Sequence, residues 1–195
     1  MDTTKFLTDI KAVLKKDKAA MLRVAKNPAY FKIALGVYAL VQVVATIANQ
    51  WLTMRSSMQF MEALGIQSSL YGPIDMLKQG VYGFIMGIFL MAIIYFAATR
   101  LFKGKEEVDV KGFITIYCFV ISPMLLLFIP LIGFFALIWV LFLFFAMMDA
   151  VFGFKFWKAL IVVVVAMLGW AVVAGPLSQV LGVSTGFSTD FSFDF

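Results

Sequence analysis

The sequence has no histidine and a single cysteine, and only 14% of its 195 residues are charged. Without histidine the commonest general base and metal ligand is missing. One thiol can neither close a disulfide within the chain nor build a zinc or haem site. Cys118 lies inside an apolar run, where a lone thiol reads as a small hydrophobe. Carboxylates are also scarce, 11 Asp+Glu against 16 Lys+Arg. No paired carboxylates stand within the apolar runs, and Lys103-Gly104-Lys105 is too short to be a phosphate-binding glycine loop. A catalytic centre, a metal and a cofactor are therefore left without candidates.

What is present is apolar surface. Hydrophobic residues make up 63% of the chain and its mean hydropathy is +0.99, whereas soluble domains run at about 45–50% apolar and about 25% charged. A chain this short cannot hide so much apolar surface from water, so lipid is its expected solvent. The net charge of +5 does not point to nucleic acid, because the basic residues gather in loops and in an N-terminal arm rather than in a groove-sized patch. The first strongly apolar stretch begins near Ile33, too late and too long for a cleaved signal peptide.

Residues 1–27 read as a cytoplasmic amphipathic arm. At helical spacing Phe6, Leu7, Ile10, Val13, Leu14, Met21 and Val24 share one face, and Lys5, Lys11, Lys15, Lys16 and Lys18 share the other. Asp17 falls on the apolar face, which predicts a break there, with Asp17 capping a second short helix through Lys26. A basic amphipathic helix next to a span is expected in the headgroup region, apolar side down, the alternative being a partner-binding helix at the cytoplasmic surface. Asn27-Pro28 then starts the membrane domain, residues 28–183.

Five spans are expected, at about 31–51, 81–99, 113–129, 131–148 and 159–176. The first carries a polar stripe, Gln42, Thr46, Asn49 and Gln50, and ends with Trp51 in the outer aromatic belt. Such side chains usually bond a neighbouring helix, although they also suit a substrate path. Between the first two spans, Ser56 to Leu64 reads as a short surface helix ended by Gly65. Gly80, Gly83 and Gly87 share a face of the second span and allow another helix to come close. Pro123 kinks the third span, and Pro130 ends it so sharply that the third and fourth spans must form an antiparallel hairpin. Asp149 closes the fourth span, where it is expected to cap or to pair with Lys155 or Lys158. Gly175-Pro176 bends or ends the fifth, and Leu177 to Val183 could continue it. The tail, residues 184–195, alternates Phe187, Phe191, Phe193 and Phe195 with Ser and Asp, and these rings are expected to dock on the protein, the bilayer or a partner.

The charges orient this topology. Of the 16 Lys+Arg, eight lie in the arm up to Lys32, four in residues 100–112 and two in residues 151–158, leaving two for residues 52–80 and none for the other side's remaining segments. By the positive-inside rule this split predicts a cytoplasmic N-terminus and an extracytoplasmic C-terminus.

From Leu101 onward the sequence resembles the Yip family of membrane proteins, whose eukaryotic members interact with Rab-type GTPases. The resembling features are the Lys103-Gly104-Lys105 turn, Tyr117 and Ser122-Pro123, the turn Ile129-Pro130-Leu131-Ile132-Gly133, Trp139, and the short turn before Ala159. The start of the first span, Asn27-Pro28-Ala29-Tyr30-Phe31, is similar to that of many prokaryotic members. The resemblance implies five spans and a cytoplasmic N-terminus. Ser69-Leu70-Tyr71-Gly72-Pro73 looks like the family's D-L-Y-G-P with Ser for Asp, but it stands before the second span and carries no role over. The long cytoplasmic N-terminal region of eukaryotic members has no counterpart, which speaks against GTPase binding and for a prokaryotic cell membrane.

The expected function is therefore a non-enzymatic membrane scaffold or accessory subunit that associates with other membrane proteins or with itself, or shapes the bilayer. The alternative is a transporter or channel for a neutral or lipidic solute, with Gln42, Thr46 and Asn49 and the Pro123 kink lining the path.

Overall fold

The computed structural model of the protein describes residues 3–63, 73–102 and 108–181. The regular elements among them are α1 (Thr3–Leu14), α2 (Lys18–Lys26), α3 (Tyr30–Ala63), α4 (Pro73–Phe102), α5 (Val110–Val120), a 3₁₀ segment (Ser122–Phe128), α6 (Pro130–Phe152) and α7 (Phe156–Leu181). Among the described residues, five stretches are long and apolar enough to cross a membrane: Tyr30–Ala48, Leu77–Phe102, Val110–Leu127, Leu131–Phe152 and Phe156–Pro176. The chain is thus an all-α polytopic membrane protein with two helices ahead of its spans. In hydrocarbon each backbone group must bond within the protein, and a helix achieves this within one segment.

The structure departs from the sequence expectation in two places and decides between its alternatives in a third. First, α3 does not stop at Trp51 to give way to a separate surface helix; it runs unbroken to Ala63. No glycine or proline stands between residues 37 and 63 to end it, so its 34 residues reach about 51 Å, far more than the ~30 Å of hydrocarbon. The Trp51 side chain lies outside the described ones. Second, of the two courses open at Gly175-Pro176, α7 takes the continuing one, through Pro176 to Leu181. Side chains bond carbonyls beside the proline: Tyr82 Oη donates to Ala174 O at 3.1 Å and Ser178 Oγ to Gly175 O at 2.7 Å. Third, Pro123 does more than kink a helix. The α-helix ends at Val120, and the chain goes on as the seven-residue 3₁₀ segment with Pro123 in its first turn. At 1.5 and 2.0 Å per residue, the 11 and 7 residues of the two parts reach about 30 Å, so the tighter winding stretches a short span to bilayer thickness. One residue, Ile129, then joins this segment to α6, and the two pack side by side.

α5 is the hub. It touches α1, α2, α3, α4 and α6, while α7 packs chiefly on α4. Phe113, Ile116, Cys118, Phe119 and Val120 are all buried. At the end of the bundle nearest the arm, Tyr95, Phe113 and Phe152 meet with centroids 5.7–5.8 Å apart, and Phe154 stacks on Phe152 at 5.3 Å. Gly153, at φ 67°, supplies the left-handed turn that closes α6 and leads into α7.

The break at Asp17 is present: its carboxylate caps α2 by accepting from the amides of Ala19 (2.9 Å) and Ala20 (3.2 Å). Much of the arm's apolar face, however, is seated on the protein's own spans, with Leu7 left exposed. Val13, Ala20, Met21 and Val24 are fully buried in the core that includes α5 and α6, and the Phe6 ring meets Tyr30 at 5.4 Å and Phe119 at 5.9 Å. An amphipathic face is equally satisfied by lipid or by an apolar groove, and here the spans of the same chain provide the groove. Asp149 also departs from expectation. Its carboxylate pairs with Lys18 of the arm instead of Lys155 or Lys158. The Lys16 ammonium stands 4.9 Å from the Trp139 ring centroid and 5.7 Å from that of Phe142, a second tie between arm and α6.

Gly112 marks the tightest point of this docking. Its amide donates to the Asp109 cap at 2.8 Å, and a Cβ there would stand 2.6 Å from Ala25 O. Since α2 backbone cannot yield as a side chain can, Gly112→Ala is expected to destabilise by about 1–3 kcal/mol. Arm cleavage by a protease in mild detergent should accelerate accordingly, while an unchanged cleavage rate would show that α2 does not seat against α5.

Candidate functional site

The residues singled out for helix packing converge on one seam, between α3 and α4. Tyr38 pairs with Gly87, Gln42 with Gly83 and Thr46 with Gly80, an antiparallel register in which one sequence climbs by four as the other falls by four or three. Tyr38 is 1% exposed. Its hydroxyl accepts from Gln42 Nε2 at 2.8 Å and donates to Gly83 O at 3.3 Å, so a side chain of one span bonds the backbone of the next. This is possible because α4 has no side chain in the way. A methyl at Gly87 would overlap the Tyr38 hydroxyl and stand 2.7 Å from its Cζ, and one at Gly83 would stand 2.9 Å from Gln42 Oε1. Gly80 is looser, with Thr46 Oγ1 at 3.9 Å.

Gln42 and Thr46 of the first span's polar stripe thus face the glycines of the second. The sequence shows both features, but it does not show that they meet. It also passes over Tyr38, which joins them; a tyrosine one turn before Gln42 on the same face was the available signal. Asn49 lies on α3, but its side chain is outside the described ones. Pro123 stands apart from this seam, at the start of the 3₁₀ segment. Phe187, Phe191, Phe193 and Phe195 lie outside the described residues.

The five arm lysines are all exposed, but they differ in surroundings. Lys16 and Lys18 are engaged with α6 as described, Lys5 borders a cleft between α1 and α2, and Lys11 and Lys15 do not line that cleft. Beside the cleft is a group that sequence reading missed. Asp9, 6% exposed, accepts from Arg23 Nη2 at 3.2 Å on one oxygen and from Tyr30 Oη at 3.0 Å on the other. Only the tertiary fold brings α1, α2 and the start of α3 together here.

Among the described residues, no group of three or more His, Cys, Asp or Glu could hold a metal ion. The charged residues within the five membrane-crossing stretches, Lys32, Lys78, Arg100, Lys111, Asp149 and Lys158, all stand in the first or last turn. That placement leaves the long side chains able to reach the interface.

The three glycines make a graded test of the seam. Gly87→Ala, against the rigid Tyr38 ring, is expected to destabilise by about 1–3 kcal/mol, Gly83→Ala by less because the tip of Gln42 can shift, and Gly80→Ala is nearly neutral. Thermal unfolding of the three variants in one detergent reads the order; equal behaviour at all three positions would mean that α3 and α4 do not approach as closely as described.

Comparison with known proteins places these features in context. No curated protein and no solved structure matches the chain. The Yip1 domain matches residues 11–175, a range that begins within α1 and so takes in α2 as well as the five spans. With most of its length inside that domain, the chain belongs to the Yip1-domain family of membrane proteins.

Proposed function

We propose that the protein is a non-catalytic membrane scaffold or accessory subunit, which associates with other membrane proteins or with copies of itself, or shapes the bilayer around it. The supporting observation is how the polar groups of the spans are spent. Gln42 and Thr46 face the α4 glycines, Tyr38 bonds across the same seam, and Tyr82 bonds α7. Among the described residues no buried side-chain nitrogen or oxygen lacks a hydrogen-bond partner. The outward faces are broad and apolar instead: α6 presents Leu131, Phe134, Phe135, Leu141 and Phe142, and α7 presents Met167, Leu168 and Val172. Such faces meet lipid or other membrane helices. Transport of a neutral or lipidic solute, which would have used Gln42, Thr46 and Asn49, loses the support of the first two.

The reading includes a prokaryotic cell membrane, with residues 1–27 in the cytoplasm as an arm and residues 184–195 outside. Its support is the distribution of Lys and Arg, 14 of 16 on the arm's side. GTPase binding forms no part of it, nor does nucleic acid.

Two experiments test these statements. Extraction from native membranes in mild detergent, after cross-linking in place, is expected to recover a reproducible membrane-protein partner or a defined oligomer. Recovery of a lone monomer across several detergents and lipids would argue strongly against the scaffold reading. For orientation, single cysteines are placed in a Cys118→Ala background. An impermeant thiol reagent should label Ser57→Cys in intact cells and Lys15→Cys only after permeabilisation; the reverse pattern would invert the topology.

A further inference from the structure

The glycines of α4 turn toward α3, and its Tyr82 and Met86 pack against α7. Near the start of the helix a further face is left open. Ile74, Leu77 and Val81 share it at helical spacing and are 69%, 67% and 47% exposed. Lys78 stands on the same face and is exposed as well. Helical side chains lean toward the N-terminal end, so the Lys78 ammonium reaches out to about the level of Ile74 and marks the water boundary there. Ile74 also precedes the apolar stretch, which begins at Leu77. Lipid tails therefore cover Val81 but not Ile74, and apolar surface at a water boundary is costly unless something else covers it.

A segment of the same chain starts at this end of the bundle. α7 runs antiparallel to α4: a Cβ at Gly169 would stand 3.5 Å from the Ile93 side chain, and further along α7 the Ala174 carbonyl accepts from Tyr82. It therefore ends, at Leu181, where α4 begins. The tail, residues 184–195, carries Phe191, Phe193 and Phe195 in alternation, and its charged side chains are Asp190 and Asp194 alone. Alternate residues of extended chain stand about 6.6 Å apart, so these rings would span about 13 Å, close to the ~11 Å that separates Ile74 from Val81 along a helix. The charges match too, a cation on the open face and only acids on the tail. Phe191 follows Leu181 by ten residues, a tether that reaches about 33 Å and so extends well past the start of α4.

We propose that the tail folds back and seats Phe191, Phe193 and Phe195 on the open face of α4, with its acidic residues toward Lys78. The docking goes beyond the scaffold reading and does not depend on it. So short a tether keeps the tail at an effective concentration on the order of millimolar. A contact too weak to hold a free peptide is then enough to seat it. Seated there, the tail straps the end of α7 to the start of α4 and covers the apolar surface that lipid does not reach.

The test uses the full-length protein, in a Cys118→Ala background, in phosphatidylcholine nanodiscs under mild oxidation. Leu77→Cys with Phe193→Cys is expected to close a disulfide within one chain, read as a shift in gel mobility without doubling of mass. Gln179→Cys with Phe193→Cys is the control, since Gln179 is also exposed and lies nearer the tail in sequence. It should link more slowly than the first pair. A tail that only sweeps through solvent would link at Gln179→Cys at least as fast, and that order would overturn the proposal. A link at Leu77→Cys formed only between two chains would overturn it too, because a second copy would then be the cover. A water-soluble thiol reagent separates tail from lipid. Phe191→Ser, Phe193→Ser and Phe195→Ser together leave every described helix untouched. They should raise labelling of Leu77→Cys about ten-fold, the change for a contact of ~0.1 mM affinity at millimolar effective concentration. An unchanged labelling rate would show that lipid covers this face and would overturn the assignment.

Discussion

Inside a bilayer, burying leucine or valine between two helices gains little over leaving it against lipid tails, which are just as apolar. Association between spans must come from close contact and from polar bonds that lipid cannot offer. The α3–α4 seam follows from that constraint. Three glycines remove side chains from one surface, and the backbone they expose becomes reachable. Tyr38 then bonds the Gly83 carbonyl and receives Gln42. A hydroxyl and an amide that would be costly in hydrocarbon become a means of adhesion, and their register aligns the first two spans. α5 is held in a related way: with α1, α2, α3, α4 and α6 packed around it, its surface belongs mostly to protein contacts.

The arm depends on a different balance. Its ion pair with α6 joins side chains that are 58% and 44% exposed, and an exposed pair of this kind contributes at most about 1 kcal/mol. Burial of Val13, Met21 and Val24 is the larger effect, about 1.5–3 kcal/mol for each such side chain taken from water. The Lys18–Asp149 pair and the Lys16 contact with Trp139 therefore set the position of the arm more than its affinity. Asp9 combines the two roles. As a carboxylate at 6% exposure it would be costly alone, yet with Arg23 and Tyr30 it locks α1, α2 and α3 to one another.

Much of this was legible in the sequence, where local rules decide the outcome. Apolar runs show spans because length and hydropathy are sufficient. Asp17 shows a cap because a short carboxylate among apolar neighbours has few other uses. Pro130 shows a hairpin because it can start a helix but cannot continue one. What was not legible involves a choice between two apolar surroundings, or a pairing between distant residues. The face made by Val13, Met21 and Val24 has the same pattern whether it meets lipid or α5 and α6. Asp149 has Lys155 and Lys158 near in sequence, but the fold brings Lys18 to it. The far end of α3 is hard to read from sequence for another reason. A helix leaving the bilayer needs a breaker to stop, and polarity alone, as at Arg55 and Ser56, is not one. At Pro123 the sequence signals a disturbance, but it does not say that seven residues will take 3₁₀ winding to keep the span long enough.

The docking of the arm has a consequence for how the protein is made. Its helices leave the ribosome before the spans, and the residue that receives Lys18 lies 131 positions later. At synthesis rates of about 5–20 residues per second, the arm waits roughly 7–26 s for the α6 segment to be made. During that interval Tyr30 and α5 are made and can take up part of its apolar face, but the α6 side of its seat is still missing. Docking of the arm is therefore completed only after insertion of a span that is made well after it.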